Sequence, residues 1–345
     1  MRILGIESSC DETSAAVVRG PSSRPTLESL VILSQDVHTV FGGVVPEIAS
    51  REHLTAIVPV TERALKDAGT TLREIDAIAV THAPGLVGAL LVGVSYAKAL
   101  AAATDKPLIG VHHMEGHLFA TALEHPDATP PFTALLVSGG HTLLLDVAAW
   151  GDYRLLGRTR DDAAGEAFDK AAKLLGLPYP GGRHLEVLAR SGDPKRQRFT
   201  KPMLNAGQQL GDADYYDVSF SGLKTAVLLA TQQAANLEAE KPHIARGFQD
   251  ALIGTLVAKT LRAAKAHGRN RIVLGGGVAC NSALVEATRE AAGNIGATVF
   301  APTPRLATDN AAMIAAAGLF RAEAGEWSDA TLNAYSALPI PGLRV

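Results

Sequence analysis

Apolar residues along this chain fall into two rhythms. Short apolar runs that stop at polar or glycine-rich turns alternate with stretches where apolar residues return every three or four positions. Residues 2–8 (RILGIES) and 14–18 (SAAVV) read as strands of a hairpin around the polar loop SSCDET. Leu54, Ile57, Val58, Thr61 and Leu65 fall at helical spacing and predict a helix over 53–68. Residues 75–85 predict a buried strand ending in a Pro-Gly turn. GALLVGVSYAKALAAAT predicts a buried helix whose glycines permit close packing on a sheet. Residues 108–123 predict a short strand and then a helix, and 132–147 a strand, a Gly-Gly turn and a second strand. Downstream, 161–177 reads as a helix stopped by Gly176 and Pro178, and 269–292 as strand, glycine turn and helix. A strand at 298–303 and a last helix at 307–325, with Asp309 near its start, complete the pattern. Residues 178–222 keep neither rhythm.

Strands alternating with helices predict an α/β fold. The strand–turn–strand unit of the N-terminus returns at 132–147, which points to two related halves. A chain of 345 residues exceeds what one core usually spans, so two domains are expected. Hydrophobic residues at 47% and charged residues at 19% suit a globular protein. No apolar run is read as reaching membrane-spanning length, and the N-terminus lacks a signal-peptide pattern. Cys10 and Cys280 form no CxxC pair, which predicts free thiols in a reducing cytoplasm. The net charge of −3 does not announce a nucleic-acid binder, so an RNA partner would need a local basic patch or a second protein. The run Lys195-Arg196-Gln197-Arg198 reads first as a solvated loop.

The stretch VHHMEGH concentrates candidate chemistry. On a helix, positions four apart lie about 40° apart, so His113 and His117 share a face and suit one metal ion. Glu115 lies roughly 200° round from His113 and points away. In the HExxH signature the glutamate follows the first histidine and acts as base, so a metallopeptidase reading lacks its key group. A third ligand must come from elsewhere, and Asp309 is a candidate. Ser138-Gly139-Gly140 and Gly275-Gly276-Gly277 each follow an apolar strand, where bare backbone N–H groups suit a phosphate or nucleotide. The stretch Glu7-Ser8-Ser9-Cys10-Asp11-Glu12-Thr13 is a third polar turn after a strand, where Ser9 and Thr13 could bond phosphate oxygens and Asp11 could position a cation or a water. No GxxxxGK[ST] occurs, so this is not a Walker A loop. Neither cysteine has a base near it in sequence, which leaves both weak as nucleophiles.

Taken in order, GIESSCDETSAAVV, FGGVVPEIASREH, THAPGLVGALLVG, VHHMEGHLFA, LLVSGGHT, DDAAGEAFDKAAKLLGLPYPGG, FSGLKTA, LGGGVACNSAL and TDNAAMIA resemble the tRNA N6-adenosine threonylcarbamoyltransferase (TsaD) family almost end to end. The resemblance implies two actin-like domains of the sugar kinase/Hsp70/actin superfamily with a nucleotide cleft between them. The expected division puts 1–110 with 320–345 in one domain, and 111–319 in a second that carries the metal and nucleotide motifs. The implied reaction moves the threonylcarbamoyl group from threonylcarbamoyl-AMP to N6 of the adenosine next to the tRNA anticodon, releasing AMP. By matching positions, His113, His117 and Asp309 would bind one divalent metal, Fe2+ first and Zn2+ second. Leu136, Val137, Ser138, Gly139, Gly140, Asp169, Gly182 and Asn281 would bind the donor, and Asp11 would assist the chemistry. Bacterial relatives are expected to work with two proteins, TsaB and TsaE. The segment 183–215 departs from the family pattern in its length. The competing readings are an ATPase or small-molecule kinase of the same superfamily and, less favoured, a metallopeptidase.

Overall fold

The computed structural model describes residues 1–205 and 207–344, so part of the segment 183–215, residue 206, lies outside the described residues. The chain forms two compact units. Unit 1 comprises Met1–Asp127 and Arg305–Pro341, and unit 2 comprises Ala128–Pro304 and the chain from Gly342 onward.

Unit 1 is built on a five-stranded sheet of order β3-β2-β1-β4-β5, with β1 Arg2–Glu7, β2 Glu12–Arg19, β3 Thr26–Ser34, β4 Ala77–Ala83 and β5 Leu108–His112. β1 pairs antiparallel with β2, from Arg2↔Arg19 to Glu7↔Ser14, and parallel with β4. Its side chains are buried on both faces because helices cover both. Leu4 and Ile6 pack towards α1 (Pro46–Asp67) and α2 (Val87–Thr104). Gly5 faces α10 (Ala311–Glu323), where an added Cβ would stand 2.3 Å from the Ala311 carbonyl oxygen. Pro46 at the first turn starts α1 seven residues ahead of the expected helix, because Pro fits where no N–H is required.

By length and composition α2 is apolar enough to cross a membrane, against the expectation of no such run. Its Ala and Gly content has a packing cause: Ala89, Leu90, Gly93, Val94, Ala97 and Ala101 are buried in unit 1, and a Cβ on Gly93 would stand 2.3 Å from Ser8 Oγ. The last stretch of unit 1 runs along the edge strand β5. Ser328 N–H donates to the Leu108 carbonyl (2.8 Å), Gly110 N–H to Ser328 Oγ (2.9 Å), and Tyr335 N–H to the His82 carbonyl of β4 (2.9 Å).

The boundaries expected at 110/111 and 319/320 fall inside this unit. β5 runs directly into α3 (His113–Glu124), and α3 packs on α10, which lies across β1, β2, β4 and β5. Strand and helix cannot separate between residues 110 and 111. The histidine motif and Asp309 therefore belong to unit 1, and the glycine turns to unit 2.

Unit 2 carries a six-stranded sheet of order β10-β9-β6-β7-β8-β11. Its strands are β6 Phe132–Val137, β7 Thr142–Ala149, β8 Asp152–Arg158, β9 Arg271–Gly275, β10 Thr298–Phe300 and β11 Leu343–Arg344. The helices are α4 Ala164–Leu174, α5 Gly181–Ala189, α6 Ser221–Gln233, α7 Leu237–Ala266 and α8 Ser282–Gly293; the short α9 Pro304–Ala307 starts at Pro304 and otherwise belongs to unit 1, where Leu306 is buried. α7 runs through the core, where Phe248 meets Phe168 edge-on at 5.4 Å. In the segment of weak pattern, α5 forms first and an irregular stretch follows. That stretch is tied to α7: Lys259 Nζ donates to the carbonyls of Asp214 and Tyr215 (2.8 Å each), and Arg262 to Gln208 Oε1 (2.8 Å). Within the basic run, Arg196 pairs with Glu240 of α7.

Candidate functional site

In unit 1, β5 delivers the chain to α3 with His113 at its first position, so His113 and His117 face the same way one turn apart. Their rings lie 4.7 Å apart at 87°, and the residues are 7% and 0% exposed. Asp309 immediately precedes the cap of α10. The Asn310 side chain accepts from Met313 N–H (3.1 Å) and donates to the carbonyls of Leu306 and Thr308, which fixes the backbone there. Asp309 Oδ1 stands 3.3 Å from His113 Nε2 and 3.3 Å from His117 Nε2. The three candidate ligand atoms lie within 4.8 Å of one another.

Gly116 lets α3 approach α10, since a Cβ there would stand 3.0 Å from Ile314 Cδ1. Glu115 is buried and accepts from Arg321 Nε (2.8 Å) and Nη2 (2.6 Å), joining the helix of the histidines to the helix behind Asp309. Engaged in that pair, Glu115 is no general base.

The electrostatics fit a cation. Burial alone would lower both imidazole pKa values. At His113 the charges of Asp309 and Glu7 outweigh it and push the value well up, while burial prevails at His117. Burial would raise the Asp309 pKa, but His113 and His117 hold it far below the carboxylate range. Among the described residues His117 Nε2 is buried without a hydrogen-bond partner, its 3.3 Å approach to Asp309 lacking the alignment of one. A neutral imidazole lone pair directed at a carboxylate is a poor contact for a proton and a good one for a metal ion.

The loop after β1 borders this cluster. His53 of α1 shapes it through Thr13 Oγ1 (2.7 Å) and the Cys10 carbonyl (2.9 Å). Ser9 O accepts from Leu86 N–H (2.8 Å). Asp11 is half-buried beside Glu12, whose carboxyl is pushed well up by burial, then by the charges of Asp309 and Asp11. Burial, with Asp11 and Asp309, likewise raises the Cys10 thiol.

Unit 2 holds the other candidates and links them. Leu136 and Val137 end β6 with fully buried side chains, so only their backbone is available to a ligand. Neither Gly139 nor Gly140 has a positive φ, and a Cβ on either would meet nothing within 4 Å. Chain geometry therefore does not require glycine there. Gly276 differs: its φ is +85° and a Cβ would press 2.4 Å from the Val137 carbonyl oxygen, a structural demand.

Ser138 O accepts from Gly165 N–H of α4 (3.1 Å), and α4 carries Asp169. Asp169 accepts from Gly181 N–H (2.8 Å) at the start of α5, beside Gly182. Burial raises its carboxyl, and the two glycine N–H groups partly offset this. One turn beyond Gly182, Glu186 accepts from Ser282 Oγ (2.6 Å), next to Asn281. Asn281 caps α8 and donates to Gln249 Oε1 (3.1 Å). Glu186, Arg190, Arg246, Gln249, Asp250 and Ser282 line a groove of about 570 Å³. Glu186, Gln249 and Ser282 were not expected. The signal for Glu186 was its place four residues after Gly182, on the same helix face. Burial, then Glu186, pushes the Cys280 thiol up to about 11.

Comparison with known proteins gives a consistent result. The sequence profile of the family described as TsaD, tRNA N6-adenosine threonylcarbamoyltransferase, matches residues 26–316. A protein of that name from Gemmatimonas aurantiaca is 65% identical, over 100% of this chain and 99% of its own. One from Symbiobacterium thermophilum is 52% identical, over 99% and 96%. Among solved structures, HypF from T. kodakarensis superposes with a TM-score of 0.62 at 15% identity, over 93% of this chain and 48% of its own. The Acidaminococcus fermentans (R)-2-hydroxyglutaryl-CoA dehydratase component A gives 0.54 at 13% identity, over 94% and 99%. These structures share the actin-like fold.

Proposed function

The chain belongs to the tRNA N6-adenosine threonylcarbamoyltransferase family, and on that premise we propose that it transfers the threonylcarbamoyl group of threonylcarbamoyl-AMP to N6 of the adenosine next to the tRNA anticodon. The observation that carries this reading is the buried convergence of His113, His117 and Asp309, with an unpartnered Nε2 on His117.

Two imidazoles and one carboxylate leave open coordination positions and suit Fe2+, with Zn2+ as the alternative. Bound there, the ion supplies Lewis acidity towards the carbonyl or phosphate oxygens of the donor. The chain's own groups do the rest. The backbone of Leu136, Val137, Ser138, Gly139 and Gly140, with Asp169, Gly182 and Asn281, holds the adenylate, and the open space over the two glycines supports that role. The N6 amine attacks the carbamoyl carbon. A C–N bond forms, the C–O bond to phosphate breaks, AMP leaves, and N6 loses a proton. Asp11 orients the donor or accepts that proton. Both thiols are raised by burial, which argues against a covalent intermediate.

The net charge of −3 supports help in binding tRNA from other proteins, which we assign to TsaB and TsaE in the cytoplasm. The packed helices α1 and α2 leave Leu54, Val58, Val87 and Leu91 exposed, a surface that suits such a partner.

Radiolabelled threonylcarbamoyl-AMP and unmodified tRNA test the reading, with and without those partners. Label is expected in tRNA with the native chain and not with His113→Ala. No label under any condition, with folded and metal-loaded protein, would overturn the transferase.

A further inference from the structure

Glu7 ends β1 with a fully buried side chain. A buried carboxylate is costly unless it is paired and hydrogen-bonded. Among the described residues its only ion-pair partner is His113. Oε1 accepts from Ser9 N–H (2.5 Å), and Oε2 accepts from Thr81 Oγ1 (2.5 Å) and faces His113 Nδ1 at 3.2 Å. Ser9 Oγ stands at 3.2 Å from the same Nδ1. A hydroxyl donates or accepts, but a carboxylate only accepts. The carboxylate therefore places a hydrogen on Nδ1. In neutral His113 the lone pair is then left on Nε2, the atom directed at Asp309. His117 has no such support among the described residues, where its Nδ1 is buried without a partner.

We propose that Glu7 is a positioning residue for the metal centre, fixing the tautomer and ring orientation of His113 and making it the stronger of the two histidine ligands. The proposal rests on the reading of His113, His117 and Asp309 as metal ligands. Carboxylates that brace a ligating histidine typically change metal affinity about 10- to 100-fold. A purely structural role is the rival, because Glu7 also braces the loop through Ser9 and touches β4 through Thr81. Thr81→Val separates the two, since it removes one hydrogen bond of Glu7 and keeps the carboxylate against His113.

The test uses the full chain with Co2+ as probe. Affinity is read by chelator competition, ligand field by visible absorption, and folding by circular dichroism. Glu7→Gln is expected to bind Co2+ about 10- to 100-fold more weakly with shifted absorption bands. Thr81→Val is expected to melt earlier but to keep the native affinity and bands. Native affinity and bands in Glu7→Gln, while His117→Ala loses Co2+, would overturn the role of Glu7 and leave the metal site standing. Equal weakening in Glu7→Gln and Thr81→Val would overturn it too, in favour of structure alone. If Glu7→Gln does not fold, Glu7→Asp decides, because its shorter carboxylate withdraws from Nδ1. Shifted bands support the role, and native bands and affinity overturn it. Native Co2+ affinity in both His113→Ala and His117→Ala would instead remove the metal reading itself.

Discussion

The turn after β1 and the turn after β6 occupy the same place in matching sheets. β3-β2-β1-β4-β5 of unit 1 and β8-β7-β6-β9-β10 of unit 2 pair with the same sense at every step, antiparallel twice and then parallel twice. The first turn is crowded with side chains. Glu7 is buried, with Ser9 N–H, Thr81 Oγ1 and His113 Nδ1 around its carboxylate, and burial pushes the Glu12 carboxyl well up. The second turn is packed on one side, where a Cβ on Gly165 would stand 2.6 Å from Ser138 O, and open above its glycines: among the described residues nothing lies within 4 Å of a Cβ on Gly139 or Gly140. On the proposed function one topology would serve two chemistries: the turn filled with side chains would support a cation site, and the open one would offer its backbone to a phosphate.

Several changes would break or sharpen this contrast. The largest effect on stability is expected from Glu115→Ala, which removes the buried partner of Arg321 between α3 and α10 and leaves it Glu326, whose side chain is half-exposed. Breaking a buried pair costs up to about 3–5 kcal/mol when the remaining charge is uncompensated, so a loss of about 3 kcal/mol is expected here, read as a lowered denaturation midpoint. Next, Asp309→Asn or His117→Ala should empty the metal site and lower transfer by about 100-fold or more, while AMP binding to unit 2 stays native. Metal content and calorimetry with AMP check both halves. Gly139→Val should do the reverse, weakening AMP about tenfold with native metal content and little change in melting. Gly276→Ala is the control, since its strained φ should cost about 1–3 kcal/mol of stability.

The smallest effect concerns Cys280, whose pKa is raised to about 11. Its thiol stays neutral at pH 8 and should alkylate more slowly than a free thiol. A raised folded pKa means the stability contribution is present below the unfolded value, about 8.5, and is lost as pH climbs towards 11. Cys280→Ala should flatten that alkaline loss.

Much of the strand–turn pattern was legible because β1, β4, β6 and β9 are near-continuous apolar runs that stop at turns. α7 was not. It buries Gln249, Lys259 and Thr260 along with its apolar residues, so no single stripe marks it. β3 was missed because it mixes buried and exposed positions without strict alternation. At the site, helical spacing alone put His113 and His117 on one face. No spacing rule brings in Asp309, which depends on the packing of α10 against α3. Glu7 belongs to the polar turn that the sequence marks after the first strand, but nothing in the sequence shows that β4 and α3 close over it.

The division of the chain also sets an order of events during synthesis. His113 and His117 leave the ribosome before any of unit 2, and Asp309 only after nearly all of it. At about 5–20 residues per second that interval is on the order of ten seconds or more. Over this time the nascent first unit lacks α10, the helix that lies across its sheet, together with the carboxylate. With His113, His117 and Asp309 as the proposed ligands, capture of a metal ion would be deferred until the polypeptide is almost complete, and a prematurely ended product would carry two histidines without their carboxylate.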